Sequence, residues 1–238
     1  MESVSSDILQ ELDSQLKGKN EVESLAFLAE KFNGKIVFST SFGLEDQVIT
    51  HLICSNKLPI RIFSLETGRL FEETLQTWRK TEAFYGQTIE AFYPPKELVE
   101  ELVAKKGLYS FYESVENRKE CCHIRKVIPL KQALAGNHLW ITGIRAEQSD
   151  NRQGMSHLEW DNSNQLIKFH PLFTWSWEKV RQFAQTHQIP YNPLHDKGFP
   201  SIGCQPCTRA IRPGEDFRAG RWWWEQKNTK ECGLHEKK

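Results

Sequence analysis

Five of the six cysteines in this 238-residue chain fall into three tight groups. Cys121 and Cys122 are adjacent, Cys204 and Cys207 form a Cys-x-x-Cys within GCQPC, and Cys232 stands alone near the end in ECGLH. Four thiolates in two pairs can close one metal site, and soft thiolate corners select Zn²⁺ or an iron–sulfur cluster. Directly adjacent ligands crowd a single small ion, whereas a four-iron cube presents separate corners, so the Cys121–Cys122 pair favours the cluster over zinc. The fifth thiol is left over as a candidate nucleophile. Cys232 lies in a polar stretch, KNTKECGLHEKK, where Gly233 gives the backbone freedom and Lys230 and His235 favour the reactive thiolate. Cys54, in ITHLICSN, sits on an apolar helix face and reads as a small core residue.

Anion-binding features accompany the cysteines. The turn Ser39-Thr40-Ser41-Phe42-Gly43 lies between an apolar run and a helical pattern, where backbone N–H groups and a helix N-terminus can hold a phosphate or sulfate. It has no Gly-Lys-Ser/Thr and is not a Walker A loop. Leu65-Glu66-Thr67-Gly68 forms a second turn of the same kind. Both turns follow strands, and in an open parallel sheet ligands bind beyond the carboxyl ends of the strands. Basic residues gather near the cysteines: Arg125 and Lys126 after the first pair, Arg209 and Arg212 after the second, then Arg218 and Arg221. Planar guanidinium groups bind oxyanions through two hydrogen bonds at once. The run Trp222-Trp223-Trp224 is expected to pack this region onto the domain.

These residues need a scaffold, and the pattern supplies one. Helical periodicity covers 5–16 and 22–32. Apolar, β-branched runs at 35–39, 61–65, 87–92 and 138–144 alternate with helical patterns at 44–55, 69–85, after PPKE, and 122–134. IKFHPL and a helix over SWEKVRQFAQTH follow. This alternation predicts βαβ units and an α/β fold with a mostly parallel sheet. Residues 1–34 are expected to be helices packed on a 35–191 nucleotide-binding core. Residues 192–238, rich in Gly, Pro, Cys and Arg, are expected to form a cluster-binding and catalytic arm of the same domain.

Composition narrows the function classes. With 31 basic and 31 acidic side chains, bulk charge argues for neither a nucleic-acid nor a membrane partner. The first thirty residues lack the apolar core of a signal peptide, and no apolar stretch is long enough to span a bilayer. A cytoplasmic protein with reduced cysteines is expected.

The motifs STSFGLED, LETGRLF, ECCHIRKVIPL, TGIRAEQS, GCQPCTRAIRPGEDFRAGRWWWE and KECGLH together resemble the assimilatory adenylyl-sulfate reductases, the iron–sulfur branch of the 3'-phosphoadenylyl-sulfate reductase family. The resemblance runs from about Lys35 to His235. It implies a doubly wound, mostly parallel α/β sheet of the adenine-nucleotide α-hydrolase-like type, whose phosphate loop is related to that of ATP pyrophosphatases. Those enzymes carry Ser-Gly-Gly where this chain has Ser41-Phe42-Gly43, so ATP cleavage is not implied.

By motif, Cys121, Cys122, Cys204 and Cys207 would ligate one [4Fe–4S] cluster and Cys232 would be the nucleophile. Lys126, Arg218 and Arg221 would face sulfate and phosphate, with Arg145 of TGIRAEQS a further candidate. Ser39 to Gly43 and Leu65 to Gly68 would hold the nucleotide. The implied reaction reduces adenylyl sulfate to sulfite and AMP through an S-sulfocysteine, with thioredoxin or glutaredoxin as reductant, in sulfate assimilation and cysteine biosynthesis. Alternatives are use of 3'-phosphoadenylyl sulfate or of both substrates, a cluster-bearing tRNA-modifying enzyme of the ATP pyrophosphatase type, and a zinc-stapled binding module.

Overall fold

A computed structural model describes residues 2–148 and 155–225. Two helices open the chain, α1 (Glu2–Leu16) and α2 (Glu21–Phe32). Asn20 accepts from the Glu23 N–H while the Glu23 carboxylate accepts from the Asn20 N–H, a reciprocal cap that fixes where α2 begins. Then come β1 (Ile36–Ser39), α3 (Leu44–Ser55), β2 (Arg61–Leu65), α4 (Glu72–Tyr85), β3 (Glu90–Phe92) and α5 (Lys96–Lys106). After them α6 (Val115–Cys122) runs through a π-helical segment, His123–Val127, into α7 (Ile128–Leu134). The chain continues with β4 (Leu139–Ile141), β5 (Leu158–Asp161), β6 (Leu166–Phe169) and α8 (Trp177–Thr186), followed by short 3-10 turns.

The six strands form one sheet in the order β3-β2-β1-β4-β6-β5. All pairings are parallel except β5 with β6. The chain leaves β1 toward β2 and β3, then returns to β1's other side as β4. The sheet therefore reverses direction between β1 and β4, and a crevice opens there at the strand ends.

Alternation along the strands covers both faces. Ile36 and Phe38 of β1 and Leu139 and Ile141 of β4 point into the larger core with α2, α3 and α8. Val37 and Trp140 point the other way, onto Leu130, Ala133 and Leu134 of α7.

Several boundaries depart from the sequence reading. The helix expected from 122 begins at Val115, where Ser114 accepts from the Asn117 N–H. Strand β3 is shorter than 87–92, and α4 begins at Glu72 rather than 69. The sequence reading had no counterpart to β5. Its central residues Glu159 and Trp160 are polar or large and only half-buried, so a short edge strand carries little periodic signal. No helix among the described residues is long and apolar enough to cross a membrane.

Candidate active site

The crevice between β1 and β4 is a cavity of about 230 Å³. Its floor is the loop after β1. Thr40 donates its N–H to Phe63 O at 2.8 Å, and Ser64 Oγ donates to Thr40 O at 2.7 Å, which ties the ends of β1 and β2 together. Trp140 Nε1 donates to Ser39 Oγ at 2.8 Å, joining β4 to the same loop. Phe42 has φ 59, a left-handed conformation that glycine adopts without strain and a bulky residue does not. Burial and stacking against Trp78, with centroids 5.0 Å apart, hold it there.

The loop's own donors are partly taken. Both Ser41 N and Ser41 Oγ donate to Asp46 Oδ2 at 2.7 Å. Burial raises the Asp46 carboxyl to about 6, against the lowering effect of those two hydrogen bonds. Beside it, Glu45 accepts from Arg145 Nε and from Gln148 Nε2, each at 2.9 Å.

Every residue from Ser39 to Gly43 lines the cavity, as do Leu65, Thr67, Lys126, Arg218 and Arg221. Glu66 and Gly68 do not. Glu66 instead accepts from the Gly68 N–H at 2.6 Å, closing the turn. Gly68 has φ +68, and a Cβ there would lie against Arg125 Nη1. Arg145 is not on the lining either: it is buried in ion pairs with Glu45 and Glu147 and also donates to Trp175 O. It reaches the site through Glu45.

The four cysteines expected to share a ligand set surround one adjoining pocket, with Arg69, Phe111, Arg118, Arg125, Lys126, Arg221 and Trp222. The helix carrying Cys121 and Cys122 has a local cause for its shape. Pro129 has no N–H for the Arg125 carbonyl and its ring crowds that group. The backbone widens to π geometry over the five residues His123–Val127 just before it. Arg125 Nη1 donates to Thr67 O at 2.6 Å, so this helix is pinned to the turn after β2.

The arm reaches the same place from the other side. Gln205 N donates to Arg69 O at 2.8 Å and Tyr112 Oη to Pro206 O at 2.6 Å. Gly203 leaves room for Arg221, because a Cβ there would collide with the guanidinium. Arg118 makes a two-bond ion pair with Glu225, at 2.8 and 2.7 Å, with both side chains almost wholly buried. Trp222, with φ 41, carries the Arg118 and Arg221 guanidinium groups over its ring, 4.8 and 4.6 Å from the centroid.

In the metal-free thiol form the cysteines differ. Burial works against ionising Cys204, but Lys126, the Thr67 hydroxyl at 3.4 Å, Arg221 and Arg69 outweigh it and lower its pKa. Burial and then Cys204 push Cys207 up to about 12, and burial also raises Cys121. No group of three His, Cys, Asp or Glu side chains among the described residues is placed to hold a single metal ion. What the pocket offers is four soft donors in a cationic surround. It also offers two buried N–H groups, Arg125 Nε and Trp222 Nε1, without a hydrogen-bond acceptor among the described residues. A thiolate-ligated polynuclear cluster is anionic and carries sulfur acceptors, so it matches that environment in charge and in hydrogen bonding.

Cys204, Lys126, Arg221 and Trp222 line both pockets and form the wall between them. Cys54 is far from this chemistry. It packs against the larger core, where burial raises its thiol to about 11. Cys232, the expected nucleophile, lies outside the described residues. The sequence reading missed Asp46, Trp140, Gln148, His195 and Trp222 as cavity residues. Asp46 and Gln148 sat within motifs already singled out, but only the fold turns them toward the cavity.

A family model for the phosphoadenosine phosphosulfate reductase domain matches residues 35–210. A protein of Allochromatium vinosum named adenosine 5'-phosphosulfate reductase is 54% identical over 200 residues, covering 84% of this chain and 78% of the relative. One of the same name from Agrobacterium fabrum is 50% identical over 224 residues, covering 94% and 86%. Among solved structures, the phosphoadenylyl-sulfate reductase of Candida auris in its phosphate complex superposes with a TM-score of 0.72 at 27% identity, covering 85% of this chain and 96% of that one. Yeast FAD synthetase, with a TM-score of 0.52 at 14% identity over 97% and 87% of the chains, shares the fold alone.

Proposed function

Because this chain belongs to the phosphoadenosine phosphosulfate reductase family, we propose that it reduces adenylyl sulfate to sulfite and AMP. One observation carries the reading: a cavity at the strand ends shares its cationic wall, Lys126 and Arg221, with the four-cysteine pocket. A nucleotide bearing an oxyanion would lie with its charged end against that wall. The substrate named for the relatives that are about half identical, adenosine 5'-phosphosulfate, fits a cavity with that polarity.

Cys121, Cys122, Cys204 and Cys207 would hold one [4Fe–4S] cluster, which would supply a fixed charge and order to the wall beside the sulfate. The chemistry proper belongs to the chain. The Cys232 thiolate attacks the sulfur of adenylyl sulfate, the bond from sulfur to the bridging oxygen breaks, and AMP leaves with the electron pair. Lys126, Arg218 and Arg221 stabilise charge on the transferred group and on the departing phosphate. A thiolate of reduced thioredoxin, or of glutaredoxin, then attacks Cys232 Sγ. Sulfite leaves with the pair of the broken S–S bond, and the carrier's second thiol resolves the mixed disulfide and regenerates Cys232. Two electrons pass from the dithiol to sulfur, and the carrier leaves oxidised.

The test is direct. Incubation with adenylyl sulfate and no reductant is expected to add one sulfo group to the peptide containing Cys232, with one AMP released per chain. Thioredoxin then releases sulfite. AMP release with that peptide unmodified overturns the mechanism. Equal turnover of 3'-phosphoadenylyl sulfate in the same assay overturns the substrate assignment.

A further inference from the structure

We propose that the exposed aromatic face beside the four-cysteine pocket is where the protein dithiol carrier docks to reach Cys232, an inference that rests on the S-sulfocysteine reading above. Leu108, Tyr109, Tyr112 and Trp223 make up this face, with 59%, 63%, 40% and 39% of their surfaces exposed. They come from the turn after α5, the 3-10 turn Ser110–Tyr112 and the end of the described arm. Their rings form one continuous surface. Tyr109 stacks on Tyr112 with centroids 6.3 Å apart, and Tyr112 meets Trp223 edge-on at 6.2 Å. Contiguous exposed apolar surface of this kind marks an interaction site, and Tyr and Trp are enriched among the residues that carry binding energy.

The face is built in place. Arg69 donates to Leu108 O, and Tyr112 Oη donates to Pro206 O, inside the turn that carries Cys204 and Cys207. Beneath it Phe111 is buried, with the Arg69 guanidinium 4.6 Å from its centroid. Trp224 packs against Tyr112 and Trp223 at 4.5 and 4.8 Å. Aromatic side chains supported in this way lose little freedom when a partner covers them.

Three observations limit the occupant. None of the four side chains lines the nucleotide cavity or the cysteine pocket, so a nucleotide held in the cavity does not cover them. Residues 226–238, QKNTKECGLHEKK, hold a single large apolar side chain, Leu234, too little to bury the face. Cys232 follows Glu225 by seven positions, so its Cα lies within about 25 Å of that of Glu225, two residues past Trp223. A carrier whose thiolate attacks Cys232 Sγ must sit within that radius at the moment of attack, and the aromatic face stands where the tether begins.

The experiment isolates the second half-reaction. Full-length protein, as wild type and as the variants Leu108→Lys, Tyr109→Ala and Trp223→Ala, is first incubated with adenylyl sulfate and no reductant, and the sulfo adduct on Cys232 is quantified by mass spectrometry. Sulfite release is then followed with reduced thioredoxin and, separately, with dithiothreitol, which performs the same two-electron displacement and closes to its own cyclic disulfide without docking. Each variant is expected to form the adduct as wild type does and to react with dithiothreitol at the wild-type rate. With thioredoxin each is expected to lose about tenfold in second-order rate constant. Wild-type rates with thioredoxin in all three variants overturn the docking face, and a change in oligomeric state alongside those rates assigns it to a second copy of the chain instead. Equal losses with both reductants overturn it too, since the face would then act by exposing Cys232 and not by holding the carrier. In each of these cases adduct formation stands, and the reading above with it. If wild type forms no adduct on Cys232, that reading fails first and takes the docking face with it.

Discussion

The loops leaving β1, β2 and β4 hold one another by neutral contacts: Thr40 to Phe63 O, Ser64 to Thr40 O, Trp140 to Ser39. The helix of Cys121 and Cys122 and the arm of Cys204 and Cys207 share such neutral contacts, Gln205 to Arg69 O and Tyr112 to Pro206 O, but are held by guanidinium groups as well. Arg125 donates to Thr67 O, Arg118 pairs with Glu225, and Arg221 stacks on Trp222. The sheet side thus offers a hydrogen-bonded cradle with the carboxylates of Glu45 and Asp46 at its base. The cysteine side concentrates positive charge against thiols. The difference teaches where each kind of failure should appear. Damage to the cradle should change ligand affinity, whereas damage to the cysteine side should remove metal, fold and chemistry together.

The largest effect breaks the cysteine side outright. Serine at Cys121, Cys122, Cys204 or Cys207 is expected to abolish iron binding and sulfite production, because a hydroxyl is a poor soft-metal ligand. Iron analysis of anaerobically purified protein decides it. Wild-type iron in all four variants, or stoichiometric zinc in the parent, overturns the cluster assignment. Cys232→Ser separates the two roles of sulfur: iron is expected to stay and sulfite production to vanish, since serine without a strong base is a far weaker nucleophile.

Next in size is the Arg118–Glu225 pair, which joins α6 to the end of the described arm. Removing Arg118 takes two charge-assisted hydrogen bonds from a buried carboxylate, so Arg118→Ala is expected to destabilise by about 3 kcal/mol. Replacing both partners with apolar residues should restore much of that. Chemical denaturation of the parent, the single and the double variant checks the ordering. A single variant as stable as the parent would show that the pair does not hold the arm.

How far the sequence could be read follows the same division. The sheet side was legible because β1, β2 and β4 are apolar runs and the turns after them are short, with the range 61–65 matching β2 at both ends. The cysteine pairs were legible as chemistry, but not how they meet. That depends on Pro129 and the π segment, on Gly203 making room for Arg221, and on Gly68 giving way to Arg125. These are long-range packing relations with no local period. Arg145 shows the converse. Its motif marked it, yet its guanidinium is spent on Glu45 and Glu147.

A third test sharpens the boundary between the halves. Lys126 and Arg221 stand on the shared wall, and Arg218 lines the nucleotide side alone. Alanine at each is expected to lower kcat/KM by more than tenfold, since a charge-assisted contact contributes about 1.5–3 kcal/mol. Iron content should remain unchanged for Arg218→Ala, whose side chain does not line the cysteine pocket. Wild-type kinetics in all three variants would remove these residues from the site.

The smallest effect lies in the cradle and has the opposite sign. Asp46 is buried at the base of the loop, and burial raises its carboxyl from an ordinary 3.8 to about 6, against the hydrogen bonds from Ser41. A group whose folded pKa is raised favours the folded state only while protonated. Its contribution is fully present below about pH 4 and is lost as pH rises through about 6, so at neutral pH the ionised carboxylate is a liability. A rise of about two units corresponds to roughly 3 kcal/mol at most, and an amide oxygen accepts from Ser41 less strongly than a carboxylate does. Asp46→Asn is therefore expected to be more stable than the parent by about 1–2 kcal/mol at pH 7. The difference should shrink toward zero by about pH 4, where the parent carboxyl is protonated as well. Denaturation curves of both proteins across that range measure it, with every other titrating group common to the two. An advantage that stays constant with pH would mean that Asp46 does not titrate between these limits. A loss of stability at pH 7 would mean that the charged oxygen, through Ser41, holds the loop more tightly than burial opposes it.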